Sequence, residues 1–110
     1  MTGKQKTVID NTMSVAELFA SVNKTEVMQR LLEEILTPAE LRDMSLRWQL
    51  LERLYAGESQ RKIAEDLRVS LCKITRGSRI LKQPDAVTVS ILKKRLSALS
   101  DNNANKKQVV

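Results

Sequence analysis

The chain has 110 residues, a formal charge of +6, no His, one Cys and three aromatics, Phe19, Trp48 and Tyr55. That length suits one domain. The missing His removes imidazole metal sites and the Ser-His-Asp and Cys-His pairs of nucleophilic catalysis, and a lone thiol makes no internal disulfide. No phosphate-binding loop is present either, so neither a catalytic residue nor a metal ligand is expected. No apolar run approaches the roughly 18 residues of a membrane helix, and no signal-peptide core follows Met1. The expectation is a cytoplasmic protein with no membrane partner.

Nearly every local signal is helical. Ser14-Val-Ala-Glu17 and Asn23-Lys-Thr-Glu26 have the capping-box spacing that satisfies free amide donors at a helix start. Thr37-Pro38-Ala39-Glu40 adds a Pro at the first helical position, where its missing N–H costs nothing. These signals predict helices near 14–22, 24–35 and 38–56, the last closed by Gly57. Ser59 caps a helix over 60–67 and Ser70 one over 71–82, which Pro84 prevents from continuing far. A last helix runs from Asp85 to about Leu99. The polar ends suggest a flexible arm over 1–12, whose Lys4 and Lys6 could touch DNA, a helical domain over 13–99 and a disordered tail over 100–110. With no convincing strand alternation and no internal repeat, the fold class is all-α.

The 38–56 helix carries an unusually wide apolar arc. Leu41, Met44, Leu46, Trp48, Leu50, Leu51, Leu54 and Tyr55 span roughly 220° at 100° per residue, where a surface helix needs only about 100°. Burial on two sides follows, and with so few aromatics available for an internal core the arc favours a dimer. Trp48 and Tyr55 belong to this arc as core residues. Asp43 and Arg47 interrupt it. Either they form an i,i+4 ion pair or Arg47 enters a partly buried cleft and meets an anion or a planar ligand.

Charge is segregated along the chain. Residues 1–58 carry a net −2, residues 59–96 a net +7 and residues 97–110 a net +1. The basic stretch contains the run Ser59 to Lys82, SQRKIAEDLRVSLCKITRGSRILK. Ile63, Ala64 and Leu67 face inward from a first short helix, Val69 lies in the turn, and Leu71, Ile74 and Leu81 face inward from a second. That is the helix-turn-helix pattern, spanning about 60–83, in which the second helix enters the DNA major groove. Arg68 stands at a turn position where Gly is common, and a left-handed conformation there costs it about 1 kcal/mol. Cys72, Lys73, Thr75, Arg76, Arg79 and Lys82 form the outward face, basic for phosphate and with Thr75 able to reach a base edge. Gly77 lies inside the second helix, where it either permits close packing or leaves room for a small ligand.

Leu36-Thr37-Pro38, Gly57-Glu58, Ser59-Gln60-Arg61, Ile74-Thr75-Arg76-Gly77-Ser78 and Leu81-Lys82 together resemble the tryptophan operon repressor (Trp repressor) family, over about residues 36–82. The resemblance implies an intertwined all-helical homodimer with two helix-turn-helix heads that bind double-stranded operator DNA of tryptophan biosynthesis or transport genes. It implies L-tryptophan as corepressor ligand, and no other cofactor, between the long central helix and the second helix of each head. Arg47 and Arg76 would sandwich the indole, Arg76 would hold the carboxylate, Thr37 and the backbone around Leu36 would meet the polar end, and Gly77 would line the slot. Gln60, Arg61, Leu71, Cys72, Lys73, Thr75 and Lys82 stand at the positions that approach DNA. Two features depart from the family pattern. Ile80 stands where a Ser is usual, losing a hydrogen bond near the ligand's polar end worth roughly 1.5–3 kcal/mol. The Glu58-Ser59 link is one residue shorter than in the best-known members. Both departures also fit a regulator of the same fold that senses another ligand or none. A helical module binding an acidic protein is the remaining alternative from a different class.

Overall fold

Pro38, Gly57, Ser59, Ser70 and Pro84 punctuate the chain, and in a computed structural model of the protein the helices fall between them. The structure describes residues 8–109, with side chains over 11–98. In chain order the helices are α1 (Val8–Ser21), α2 (Thr25–Ile35), α3 (Pro38–Tyr55), α4 (Gln60–Leu67), α5 (Leu71–Leu81) and α6 (Val87–Val109). No strand occurs among the described residues.

The caps explain the sharp boundaries. At the start of α3 the Thr37 N–H donates to Glu40 Oε1 at 2.9 Å and the Glu40 N–H donates to Thr37 Oγ1 at 3.2 Å, the reciprocal pair expected of TPAE. Those bonds hold the Glu40 carboxyl below the usual carboxylate range, the backbone donor of Thr37 contributing most. At the other end Gly57 takes φ +91°, and its N–H reaches Leu54 O while the Glu58 N–H reaches Arg53 O. This double bond pattern satisfies two carbonyls that the helix leaves free. Ser59 and Ser70 accept from the amides of Lys62 and Lys73, capping α4 and α5. Arg68 closes α4 in the left-handed conformation, φ 54° and ψ 45°, as its place in the turn requires.

Elsewhere the local signals misplace a boundary. Ser14 lies inside α1, which starts at Val8 because residues 8–13 contain nothing that stops a helix. Lys24, not Asn23, is the N-cap of α2 and makes no side-chain cap bond. α6 continues to Val109, beyond the expected end near Leu99, because no Gly or Pro follows Pro84. Residues 1–7 of the expected N-terminal arm, with Lys4 and Lys6, lie outside the described residues, as do the side chains of 99–110.

The chain divides into two units, the first ending at Arg42 and the second beginning at Asp43. In the first, α2 is strongly amphipathic, yet none of its residues is buried. The second has a core of Leu50, Ile63 and Ile74, with Leu51, Leu54, Ala64, Leu67 and Val69 packed against it. Here α5 packs against both α4 and α6, and Leu92 of α6 is buried. Trp48 and Tyr55 are half-buried, and Arg95 of α6 lies 6.0 Å from the centroid of the Trp48 ring. Leu71, expected to face inward, is 63% exposed: it is the first residue of α5, a turn before the buried Ile74.

Candidate functional site

α3 and α5 cross closely at Gly77. A Cβ at that position would lie 2.6 Å from Leu50 Cδ2 and 3.3 Å from Leu54 Cδ1, so a side chain there would collide with the buried row of α3. Of the two roles the sequence leaves open for Gly77, close packing is therefore one it fulfils. Next to this crossing the same two helices line a cleft of about 500 Å³, within the size range of small-molecule sites. One turn after another, α3 contributes Asp43, Leu46, Arg47, Leu50 and Leu51. The opposing stripe of α5 contributes Cys72, Lys73, Arg76, Gly77 and Ile80, with Val69 from the turn. Three of the five residues that the resemblance assigns to the ligand, Arg47, Arg76 and Gly77, thus share one cleft. Leu36 and Thr37 do not line it; they belong to the first unit, as the C-cap of α2 and the capping-box residue of α3.

The polar inventory of the cleft is lopsided: Arg47, Lys73 and Arg76 against Asp43 alone. Asp43 and Arg47 do not form the i,i+4 ion pair that their spacing permits. The ion pairs among the described residues lie elsewhere, at Arg53 with Glu58 and Asp66, Arg61 with Glu65, and Arg95 with Glu52. Arg47 and Arg76 are exposed and have no ion-pair partner among the described residues. Leucine side chains beside unpaired guanidinium groups can accept a planar ring and an anion together, since guanidinium both stacks and donates in a fork. The cleft residues that sequence reasoning did not assign to a ligand are Asp43, Leu46, Leu50, Leu51, Val69 and Ile80, together with Cys72 and Lys73, which it assigned to DNA. Leu46 and Leu50 were legible only as part of the apolar arc, and Asp43 only as a neighbour of Arg47.

The candidate nucleic-acid residues occupy the start of α4 and the length of α5. Gln60, Arg61, Leu71, Cys72, Lys73, Thr75 and Lys82 are all exposed. Arg61 reaches Glu65 at 3.5 Å, a bond between two largely exposed side chains that competes weakly with a phosphate. The Thr75 hydroxyl donates to Leu71 O at 2.9 Å, leaving its lone pairs outward as acceptors. Cys72 and Lys73 lie on both surfaces at once, facing the cleft and the exposed side of α5.

A network that the sequence does not announce fixes α4 to the end of α3. Arg53 donates to Glu58 Oε1 at 2.9 and 2.7 Å and to Asp66 Oδ2 at 2.6 Å. These hydrogen bonds push the Arg53 guanidinium still higher and hold the Glu58 carboxyl below its ordinary value. The short link is thereby tied on both sides of the Gly57 turn.

The described residues thus form helices only, with a basic face on α5 beside a cleft that holds three cationic side chains. The chain belongs to the Trp repressor protein family, which it matches over residues 10–96; this is a family of transcription regulators and not of enzymes. It is 35% identical over 80 residues to the Trp operon repressor homolog of Chlamydia trachomatis serovar L2, covering 72% of this chain and 85% of that protein. It is 35% identical over 82 residues to the Trp operon repressor homolog of Xylella fastidiosa strain M23, covering 74% and 87%. To the homolog of Vibrio parahaemolyticus it is 38% identical over 69 residues, covering 62% and 67%. No solved structure gives a significant match. No helix among the described residues is long and apolar enough to cross a membrane.

Proposed function

We propose that this chain is a tryptophan-dependent repressor that binds operator DNA of tryptophan biosynthesis or transport genes as a cytoplasmic homodimer. The observation that carries the reading is the cleft between α3 and α5, where Arg47 and Arg76 are free of ion pairs beside Gly77. Tryptophan would stack its indole between the two guanidinium groups and give its carboxylate to Arg76. The exposed row Gln60, Arg61, Leu71, Cys72, Lys73, Thr75 and Lys82 would meet the operator through a helix-turn-helix head formed by α4 and α5. Dimerisation is supported by α2, whose apolar face includes Val27 and Ile35, both about half exposed, and by the exposed Met44 of α3. An amphipathic helix with nothing buried calls for cover that its own chain does not supply.

The mechanism is a population shift. Ligand in the cleft rests on α5 itself, so it favours the head orientation that sets two reading helices about 34 Å apart, one turn of DNA. Operator must then tighten tryptophan binding by the same factor. Isothermal titration with L-tryptophan should saturate near one ligand per chain, more tightly when cognate operator is present, and only weakly with tryptamine, which lacks the carboxylate. No saturation up to millimolar tryptophan would reject the reading. Ile80 favours one other possibility, a regulator of the same fold with another ligand or none. It predicts DNA binding that tryptophan does not change.

A further inference from the structure

The cleft contains an acidic group that neither the packing nor an ion pair accounts for. Asp43 is the only carboxylate among the lining residues and is exposed. It stands one helical turn before Arg47 on the same face of α3, close enough for the two side chains to meet, yet no ion pair joins them. Across the cleft, Ile80 offers neither donor nor acceptor. A ligand that carried only a carboxylate would satisfy cations of the cleft and leave Asp43 without a partner. A ligand carrying an ammonium group beside its carboxylate would satisfy both charge types at once.

We propose that Asp43 is the acceptor for the ligand's α-ammonium group, making it the residue by which this cleft selects a zwitterionic amino acid over an aromatic acid of the same shape. The assignment rests on the tryptophan reading of the cleft. It also gives Ile80 a consequence. With no polar side chain at that position, Asp43 is the one anionic side chain of the lining that can stabilise the ammonium.

The test compares L-tryptophan with indole-3-propionate, which has the ring and the carboxylate but no amine, by titration of the full chain. Wild type should prefer tryptophan, and in Asp43→Asn the ratio of the two affinities should fall about tenfold, at the lower end of what a hydrogen bond between charged groups contributes. Asp43→Ala should reproduce the fall, with an unchanged helical circular dichroism spectrum. A ratio unchanged in both variants overturns the assignment. So does equal weakening of both ligands, which would make Asp43 a positioning residue for Arg47. If wild type binds neither ligand, the tryptophan reading itself fails and this assignment goes with it. If wild type binds both equally, the reading stands and only the ammonium role is lost.

Discussion

α2 and the α4–α5 pair are both amphipathic, and they end in opposite states. Ile63 of α4 and Ile74 of α5 are completely buried, facing Leu50 of α3 across a crossing that Gly77 permits. No residue of α2 is buried: Met28, Leu31 and Leu32 are only partly covered, and Val27 and Ile35 stay about half exposed. An apolar stripe states that a face needs covering and does not state by what. For α4 and α5 the cover is 10 to 30 residues away in the same chain. For α2 it is, under the proposed function, a second copy.

The comparison breaks most easily at Ile74. Ile74→Ala removes a fully buried side chain from a core of few members and should cost about 2–5 kcal/mol in urea denaturation. A loss below 1 kcal/mol would mean that the pair is held by something other than this contact. Gly77→Ala comes next. Its methyl group would force Leu50 or α5 to move, at about 1–3 kcal/mol, and a shifted α5 should also weaken tryptophan binding in titration.

Ile35→Asp sharpens the other side. In a chain that works alone, an exposed substitution of this kind is nearly neutral. With α2 covered by a second copy, the loss should be about 1–2 kcal/mol, and the melting midpoint should fall on dilution. Sedimentation of the variant should show monomer where wild type shows dimer.

The smallest effect is expected from Glu58→Gln. Its folded pKa lies below the ordinary carboxylate value of 4.5, so the pairing with Arg53 is fully present above that value and is lost as pH falls through the lower one. Melting midpoints of wild type and variant, followed from about pH 6 to about pH 3, should differ at the upper end and converge at the lower. A constant difference across that range would mean that Glu58 acts through packing alone.

Much of the fold was legible because its signals are local. TPAE, Gly57, Ser59 and Ser70 act on amides within four residues, and the bounds of α3, α4 and α5 follow them to within a residue. The same logic failed at Ser14 and Asn23, where a capping spacing exists but the helix passes through or starts one residue later. Capping residues stabilise a start; they do not forbid helix on their N-terminal side. Of the candidate site, the basic outer face of α5 was readable from charge and period. Arg47 and Gly77 were open to a ligand role from helix period and from a Gly inside a helix, Arg76 took that role from the family resemblance, and the fold then brings those three to one cleft. For Asp43 and Arg47 the spacing left open an ion pair or a cleft, and the fold places both in the cleft with no ion pair between them.

By itself, the sequence determined the helical class, the three-residue turn around Arg68, the polarity of each helix and the concentration of positive charge in 59–96. All of these depend on neighbours within about one helical turn or on simple composition. Only the tertiary structure decided which apolar faces are covered within the chain, why position 77 must be Gly, that Arg53 joins Glu58 to Asp66, and that Asp43 and Arg47 stand unpaired in one cleft. Those facts bring together groups far apart in the chain, and their outcome depends on a close approach of helices, which no spacing along a single helix can express.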